Sequence, residues 1–202
     1  MKKTLFILLI LILVSAAYAQ KINFIGGMSL SRYHVEGLVY APPPFGPVWR
    51  YNSGFIGGMG IEFKVFWFLR FEADALYFQK GSNYSLMPGD KSICNLNTIS
   101  FPILVKFAFL PDSLPYILAG GEFSIILSEK WDGRDSTVSR EKNDRGILLG
   151  VGNNIKIPGA SFFVEARYHI GLSDINKAVD IWGWDDIIMK TRALAVIIGV
   201  KI

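Results

Sequence analysis

The sequence predicts an all-β fold, an eight-stranded antiparallel up-and-down transmembrane β-barrel preceded by a cleaved signal peptide. Three observations predict it: segments of about ten residues alternate apolar with polar side chains, short and long connections alternate between them, and few residues are charged. Charged residues make up 19% of the 202 residues and hydrophobic residues 51%, whereas about a quarter of a soluble domain is charged. After residue 19 no apolar run approaches the roughly 20 residues that a membrane helix needs.

The first 19 residues have the three parts of a signal peptide. Lys2 and Lys3 precede the unbroken apolar run 5–14, and Ala17-Tyr18-Ala19 supplies small residues for cleavage before Gln20. An uncleaved anchor is the alternative, although ten apolar residues are short for one. The chain is therefore expected to be exported through the inner membrane, with a signal peptide at 1–19 and one barrel domain at 20–202.

Eight segments fit membrane-crossing strands. Three of them alternate clearly, because their apolar side chains occupy every second position and so share one face of a strand. These three are 68–77, 98–107 and 161–170, and the other five are 22–33, 51–64, 115–128, 146–157 and 191–202. Glycines on the presumed inner face, such as Gly120, Gly150 and Gly152, leave room for a narrow barrel to close.

The connections between these segments alternate strictly in length. Short ones lie near 65–67, 111–114 and 158–159, and long ones at 34–50, 80–96, 129–145 and 172–190. Outer-membrane barrels have tight periplasmic turns and longer extracellular loops. The pattern therefore predicts the cell outer membrane as the location, with both chain ends in the periplasm.

The charged residues within the strands are few and of mixed sign, which favours pairing across a narrow lumen. We expect them to form a structural ion-pair network: Arg70, Glu72, Asp74, Lys106, Glu122, Glu165 and Arg167. The alternative is that they line a conduction path, but eight strands leave an interior that side chains can fill. Alternation also fits a soluble ligand-binding barrel with its apolar face inward.

Aromatic residues gather near the predicted strand ends, as in the two interfacial girdles of a membrane barrel. One group is near the short turns: Phe66, Trp67, Phe68, Phe107, Phe109 and Tyr116. The other is toward the long connections: Tyr51, Phe55, Tyr77 and Phe78.

No catalytic, metal or cofactor motif is present in the sequence. The two histidines, His34 and His169, belong to no metal-binding motif, and Cys94, in a predicted loop, has no cysteine to pair with. Removing Lys2 and Lys3 with the leader lowers the formal net charge from +4 to +2, which gives no basis for nucleic-acid binding.

Recognition is expected in the long loops, because loops on a rigid scaffold carry binding residues. Trp182 and Trp184 lie beside Asp185 and Asp186 and could bind a partner or glycan; alternatively they pack over the barrel mouth. The loop 129–145 carries balanced charges and reads as solvated, with contact to lipopolysaccharide phosphates as the alternative.

Several motifs together resemble the PorT-like outer membrane protein β-barrel domain family. They are Phe24-Ile25-Gly26-Gly27-Met28-Ser29-Leu30-Ser31, Glu72 to Tyr77 with Gln79-Lys80-Gly81, 99–107, 115–120, 166–172 and 199–202, and they cover nearly the whole mature chain. The resemblance implies a barrel of OmpX-like size without a defined activity, and one member type takes part in protein secretion. This chain ends in Ile202, where outer-membrane barrels often end in an aromatic residue.

These features predict an outer-membrane barrel of a Gram-negative bacterium with a structural or partner-binding role and no enzymatic activity. The alternatives are a small-solute channel, a component of a protein-secretion apparatus, or a soluble secreted barrel. The expected partners are outer-membrane lipid, lipopolysaccharide and another envelope protein, with no nucleic acid and a monomeric chain.

Overall fold

The computed structural model describes residues 20–36, 48–85, 92–110, 115–135, 141–158, 160–175 and 188–202. The leader, Trp182 and Trp184 lie outside these ranges, so the cleavage site and recognition by the two tryptophans stay predictions. Within the described ranges there is no helix with the length and apolar character to cross a membrane.

All eight predicted strands are present, and two short strands accompany them. The bounds are β1 Gln20–Glu36, β2 Val48–Arg50, β3 Asn52–Lys64, β4 Leu69–Ser85, β5 Ser92–Ala108, β6 Tyr116–Trp131, β7 Arg134–Asp135, β8 Asn143–Ile157, β9 Ala160–Gly171 and β10 Ile188–Lys201. The two short strands, β2 and β7, pair with the ends of β4 and β6.

The eight long strands close into a barrel. Their order is β1-β3-β4-β5-β6-β8-β9-β10, every pair is antiparallel, and β10 pairs back with β1. The start of β1 meets the last residue of the chain at this closure, where the Ile22 amide donates to the Ile202 carbonyl at 3.1 Å and the Ile202 amide donates to the Ile22 carbonyl at 3.0 Å. Closure leaves no open sheet edge, as a membrane-spanning sheet requires. The predicted fold class is confirmed.

The outer surface of the barrel is apolar, whereas the inner surface carries the buried polar and charged side chains together with apolar clusters, one of which contains Ile25, Leu76 and Phe163. Met28, Ile103 and Ile198 are each more than 60% exposed, although each lies in the middle of a strand. Their neighbours along the same strands, such as Ser29 and Pro102, point inward and are buried. A soluble barrel would have the opposite arrangement, because water would then wet the outer face. The soluble alternative is therefore wrong.

Six of the eight long strands extend into segments expected to be loops, and β4 and β5 extend furthest. β4 continues to Ser85 and β5 begins at Ser92, while β1, β6, β8 and β10 each extend by three residues. The run Lys80-Gly81-Ser82-Asn83 has the composition of a turn, yet it pairs in register with β5. Its side chains also bind backbone, since Asn83 Nδ2 donates to the Tyr51 carbonyl at 2.9 Å. Polar residues above the apolar band therefore belong to strands, and the predicted loops at 80–96 and 129–145 were too long.

The aromatic girdle near the short turns contains five of its six predicted members. Phe66 stacks on Phe68 with ring centroids 5.5 Å apart, and Phe68 contacts Phe107 at the same distance. Tyr116 is the exception, because its position points inward and its side chain is buried. Phe78, assigned to the other girdle, is also buried inside the barrel. In both cases the side-chain alternation of the strand decides the face.

Gly152 shows why the barrel needs small inward residues. A Cβ at this position would lie 2.5 Å from the ring of Tyr116 and 2.7 Å from the side chain of Glu165. Glycine thus leaves the space into which two larger lumen side chains project.

Candidate functional site

Arg167, on β9, is at the centre of the first group of buried charges in the lumen. Its Nη2 donates to Glu72 at 2.8 Å, its Nη1 to Asp74 at 2.8 Å and its Nε to Glu165 at 2.6 Å. The flat guanidinium has donors on several sides, so one side chain can satisfy three carboxylates. β4 and β9 supply these residues because their inward positions face each other across the lumen.

Lys106, on the neighbouring strand β5, contacts two of the same carboxylates. Its Nζ lies 2.6 Å from Glu72 and 2.5 Å from Glu165. The Tyr116 hydroxyl also donates to Glu165, at 2.5 Å. Below them, toward the chain ends, Lys201 Nζ lies 2.6 Å from Glu62. These residues form what we call the Arg167 cluster: Glu62, Arg70, Glu72, Asp74, Lys106, Tyr116, Glu165, Arg167 and Lys201.

The Arg167 cluster is formally neutral. Its four cationic side chains are Arg70, Lys106, Arg167 and Lys201, and its four carboxylates are those of Glu62, Glu72, Asp74 and Glu165. Buried charges are tolerated when each has partners and hydrogen bonds. Arg70 is the least engaged member, since it lies 3.7 Å from Glu62 and keeps 12% of its side chain exposed.

A second group of buried charges surrounds Glu122 on β6. Lys80 Nζ lies 2.7 Å from Glu122, and His169 Nδ1 lies 2.6 Å from its other oxygen. The Ser124 hydroxyl donates to Glu122 at 2.8 Å. Asp144 completes the group at 3.6 Å from Lys80. We call these five residues the Glu122 cluster; its members were expected in two predicted loops and two predicted strands.

Aromatic side chains fill the lumen at the end with the long connections. Trp49 is central, with ring centroids 5.8 Å from Tyr33, 5.5 Å from Tyr84 and 6.1 Å from Trp131. Beneath them Glu129 accepts a hydrogen bond from the Tyr33 hydroxyl at 3.1 Å. Together with Cys94, these side chains form what we call the mouth cluster.

Cys94 and Glu129 correct two expectations. Both were assigned to loops, and both are fully buried at inward positions of β5 and β6. Cys94 Sγ lies 3.2 Å from Glu129 Oε1 and 3.2 Å from the Tyr33 hydroxyl. The thiol is therefore a packed component of the mouth cluster, and the charges of 129–145 are not all solvated.

The seven charged residues singled out in the sequence all point into the lumen, but they do not form a single group. Six belong to the Arg167 cluster, while Glu122 is paired with Lys80 and His169. Sequence reasoning missed Glu62, Lys80, Asp144 and Lys201, which complete the two clusters. Glu62 and Lys201 could have been found from their polar positions between outward apolar neighbours. Lys80 and Asp144 could not, because they lie past the alternating segments.

Outside the membrane-spanning part, Asp132 stabilises the turn between β6 and β7. Its Oδ1 accepts a hydrogen bond from the Ile93 amide at 2.7 Å, and its own amide donates to the Ile93 carbonyl at 2.9 Å. The Ile93 amide, with help from the Ser92 hydroxyl, holds the pKa of the Asp132 carboxyl below its usual value.

Three solved barrels resemble the structure over nearly its whole length. OprG from Pseudomonas aeruginosa has a TM-score of 0.57 at 12% identity, covering 91% of this chain and 96% of that one. The neisserial surface protein A gives 0.46 at 16% identity, with 90% and 96% covered, and Ail of Yersinia pestis gives 0.45 at 14% identity, with 90% and 98% covered. No curated protein sequence matches the chain. The likeness to OprG supports the fold alone.

The family follows from the sequence match. The model of the outer membrane protein beta-barrel domain matches residues 18–177, which include seven of the eight long strands. This agrees with the closed barrel, its apolar outer surface and its polar lumen. The chain belongs to the outer membrane protein beta-barrel domain family and is a protein of the Gram-negative cell outer membrane.

Proposed function

We propose that this protein is a closed, non-catalytic barrel that binds a partner at its long connections. The observation that carries the proposal is the filled lumen. The Arg167 cluster, the Glu122 cluster and the mouth cluster follow one another along the barrel. Nearly all charged side chains of the first two are buried, and in the third the half-buried Trp49 and Trp131 pack against buried Tyr33 and Cys94. A solute crossing the barrel would have to displace paired charges and then packed aromatic rings, which is costly.

Function then belongs to the surfaces outside the lumen. The long connections, with Trp182 and Trp184, are the part of the chain best suited to recognition, since loops on a rigid barrel are held in place by their strands. An envelope protein fits this role. Because the motifs resemble the PorT-like family, one form of this partner-binding role is that of a component of a protein-secretion apparatus. We further propose that the chain acts as a monomer and binds neither cofactor nor nucleic acid.

Planar-bilayer recording tests the closed lumen. The refolded protein is expected to give no discrete conductance, whereas a known porin in the same bilayer gives its usual steps. A variant in which Trp49, Tyr84 and Trp131 are all replaced by Ala controls for the mouth cluster, and it should also stay closed because both charge clusters remain. Steady conductance from the folded wild-type protein would make the small-solute channel the better assignment.

Site-specific photo-crosslinking in cells tests partner binding. A photoreactive residue at position 182 or 184 is expected to give a discrete protein adduct. The same residue at the lipid-facing position of Ile103 serves as the control and should give none. Absence of adducts from every long connection, in cells where the barrel is folded in the outer membrane, would reject the proposal.

A further inference from the structure

Two arginines face each other on the outer surface, where β1 pairs with β10. Arg32 is directly opposite Arg192 in the register, and both side chains are half-buried. The next outward pair toward the short turns is Leu30 and Leu194, which are 49% and 43% exposed. The arginines therefore lie at the upper border of the apolar band, on the side of the long connections.

We propose that Arg32 and Arg192 together bind a phosphate group of lipopolysaccharide, the phosphorylated glycolipid of the outer leaflet. The inference does not depend on the proposed function, because it concerns the lipid-facing wall and not the loops. It goes beyond general contact with lipid by assigning one anion to one pair of residues.

The geometry of the strand pair calls for an anion. Directly opposed residues in an antiparallel pair have Cβ atoms about 4.5–5.5 Å apart, and like charges at such positions repel. Among the described residues neither guanidinium has a carboxylate partner, since the acid on this face, Glu36, contacts Lys190 and His34 at 3.3 Å. An anion between the arginines would turn the repulsion into attraction.

One member of the pair is supported by an aromatic ring. The Arg32 guanidinium lies over the ring of Tyr51, 5.0 Å from its centroid, on the β3 side of β1, which fixes Arg32 at the border of the apolar band. Lys190, two residues before Arg192 on the same outward face, is paired with Glu36 at 3.3 Å, so this lysine is not counted among the anion's ligands.

Phosphate is the anion that best fits two guanidiniums. Its oxygens accept paired hydrogen bonds from the planar fork of arginine, and arginine is favoured wherever phosphate is recognised in this way. A lipid source is favoured over free phosphate because the pair faces sideways into the membrane, directly above Leu30 and Leu194. The long connections mark the outer leaflet, where lipopolysaccharide supplies this group.

Binding of labelled lipopolysaccharide to the refolded full chain tests the inference. The double variant Arg32→Gln with Arg192→Gln is expected to bind about tenfold more weakly or worse, as loss of two charge-assisted contacts requires. The matched control Lys21→Gln with Lys64→Gln removes two exposed cations at the short-turn end of the barrel, away from the outer leaflet, and should bind like the wild type. Equal binding by the wild type and the arginine variant would overturn the proposal.

Two further measurements keep the result clear. The wild-type barrel should bind lipopolysaccharide without its lipid phosphates about as weakly as the double variant binds intact lipopolysaccharide. This measurement does not depend on the folding of a variant. The gel shift on boiling checks that each variant is folded, and Arg32→Lys with Arg192→Lys should retain part of the affinity, since the charge remains without the fork. Inorganic phosphate in large excess should compete, because it supplies the same group. An affinity for inorganic phosphate or for phosphatidylethanolamine vesicles equal to that for lipopolysaccharide would reject a lipopolysaccharide site.

Discussion

The Arg167→Met variant removes the cation that faces three carboxylates and keeps a side chain of similar length. Lys106 is then the one cation left in contact with Glu72 and Glu165, which also keep neutral hydrogen-bond donors. Asp74 is left without its cation, because its ion pair is with Arg167 at 2.8 Å. Removing one partner from a buried ion pair costs about 3–5 kcal/mol. We expect the free energy of unfolding to fall by that amount.

Urea titration of the protein refolded in detergent micelles, followed by tryptophan fluorescence, measures the change. Arg70→Met is the matched control, because Arg70 is 3.7 Å from its partner Glu62 and partly exposed. A loose, partly solvated pair contributes about 1 kcal/mol or less. Arg167→Lys should fall between the two, since it keeps the charge but cannot reach three carboxylates with a planar fork.

The comparison between Arg167→Met and Arg70→Met decides whether the buried ion-pair network stabilises the barrel. If Arg167→Met lowers the free energy of unfolding no more than Arg70→Met does, the buried network does not stabilise the barrel. The interpretation of these charges as a structural network that fills the lumen must then be abandoned. If Arg167→Met is as stable as the wild type but conducts ions, the cluster is a removable plug. A large loss from Arg167→Met beside a small loss from Arg70→Met supports the network described above.

Three further predictions concern the mouth, the lumen and a turn. Cys94 should react with maleimide only after unfolding, because its thiol is buried; rapid labelling of folded protein would contradict the mouth cluster. Gly152→Val should destabilise the barrel by about 1–3 kcal/mol through overpacking. The outward control Gly121→Val should change stability by no more than about 0.5 kcal/mol, since a Cβ added at Gly121 would have no atom within 4 Å. Equal losses of stability in urea titration would refute this prediction. Because the pKa of the Asp132 carboxyl is lowered in the folded protein, the carboxylate stabilises its turn at a pH above the unfolded pKa of about 3.9. This stabilisation is lost as the pH falls through the folded pKa. Hydrogen exchange of the Ile93 amide measures the loss, and a protection factor that does not change with pH would contradict the prediction.

Strand number and order could be predicted because the alternating connections imply consecutive antiparallel strands, and the face of each side chain could be predicted because it follows from the period of two. Met28 and Ile103 point outward for this reason alone, and so do their lipid-facing neighbours. The same rule would have placed Tyr116 inside, and the error came from judging it by its distance from a turn. Alternation is the stronger signal wherever the two disagree, because a strand gives each side chain only one face.

The partners of the lumen charges could not be predicted, because they depend on which residues of different strands reach the same height. Arg167 and Glu72 are 95 positions apart and meet only through the stagger of the strands. The outer ends of β4 and β5 also escaped prediction. Above the membrane both faces of a strand can be polar, so the contrast that marks a strand disappears although the backbone pairing continues.

The length of these strands indicates where a partner would bind. β4 and β5 each contain 17 residues, which at about 3.4 Å per residue and a tilt of about 40° span about 44 Å along the axis. β9 contains 12 residues and spans about 31 Å. The apolar band is only about 25 Å tall. β4 and β5 therefore continue well beyond the apolar band, whereas β9, across the lumen from β4, ends nearer to it. The mouth cluster, which includes Trp131, packs inside the barrel at this end. Under the proposed function, a partner approaching from outside would dock on the raised ends of these paired strands and would not enter the lumen.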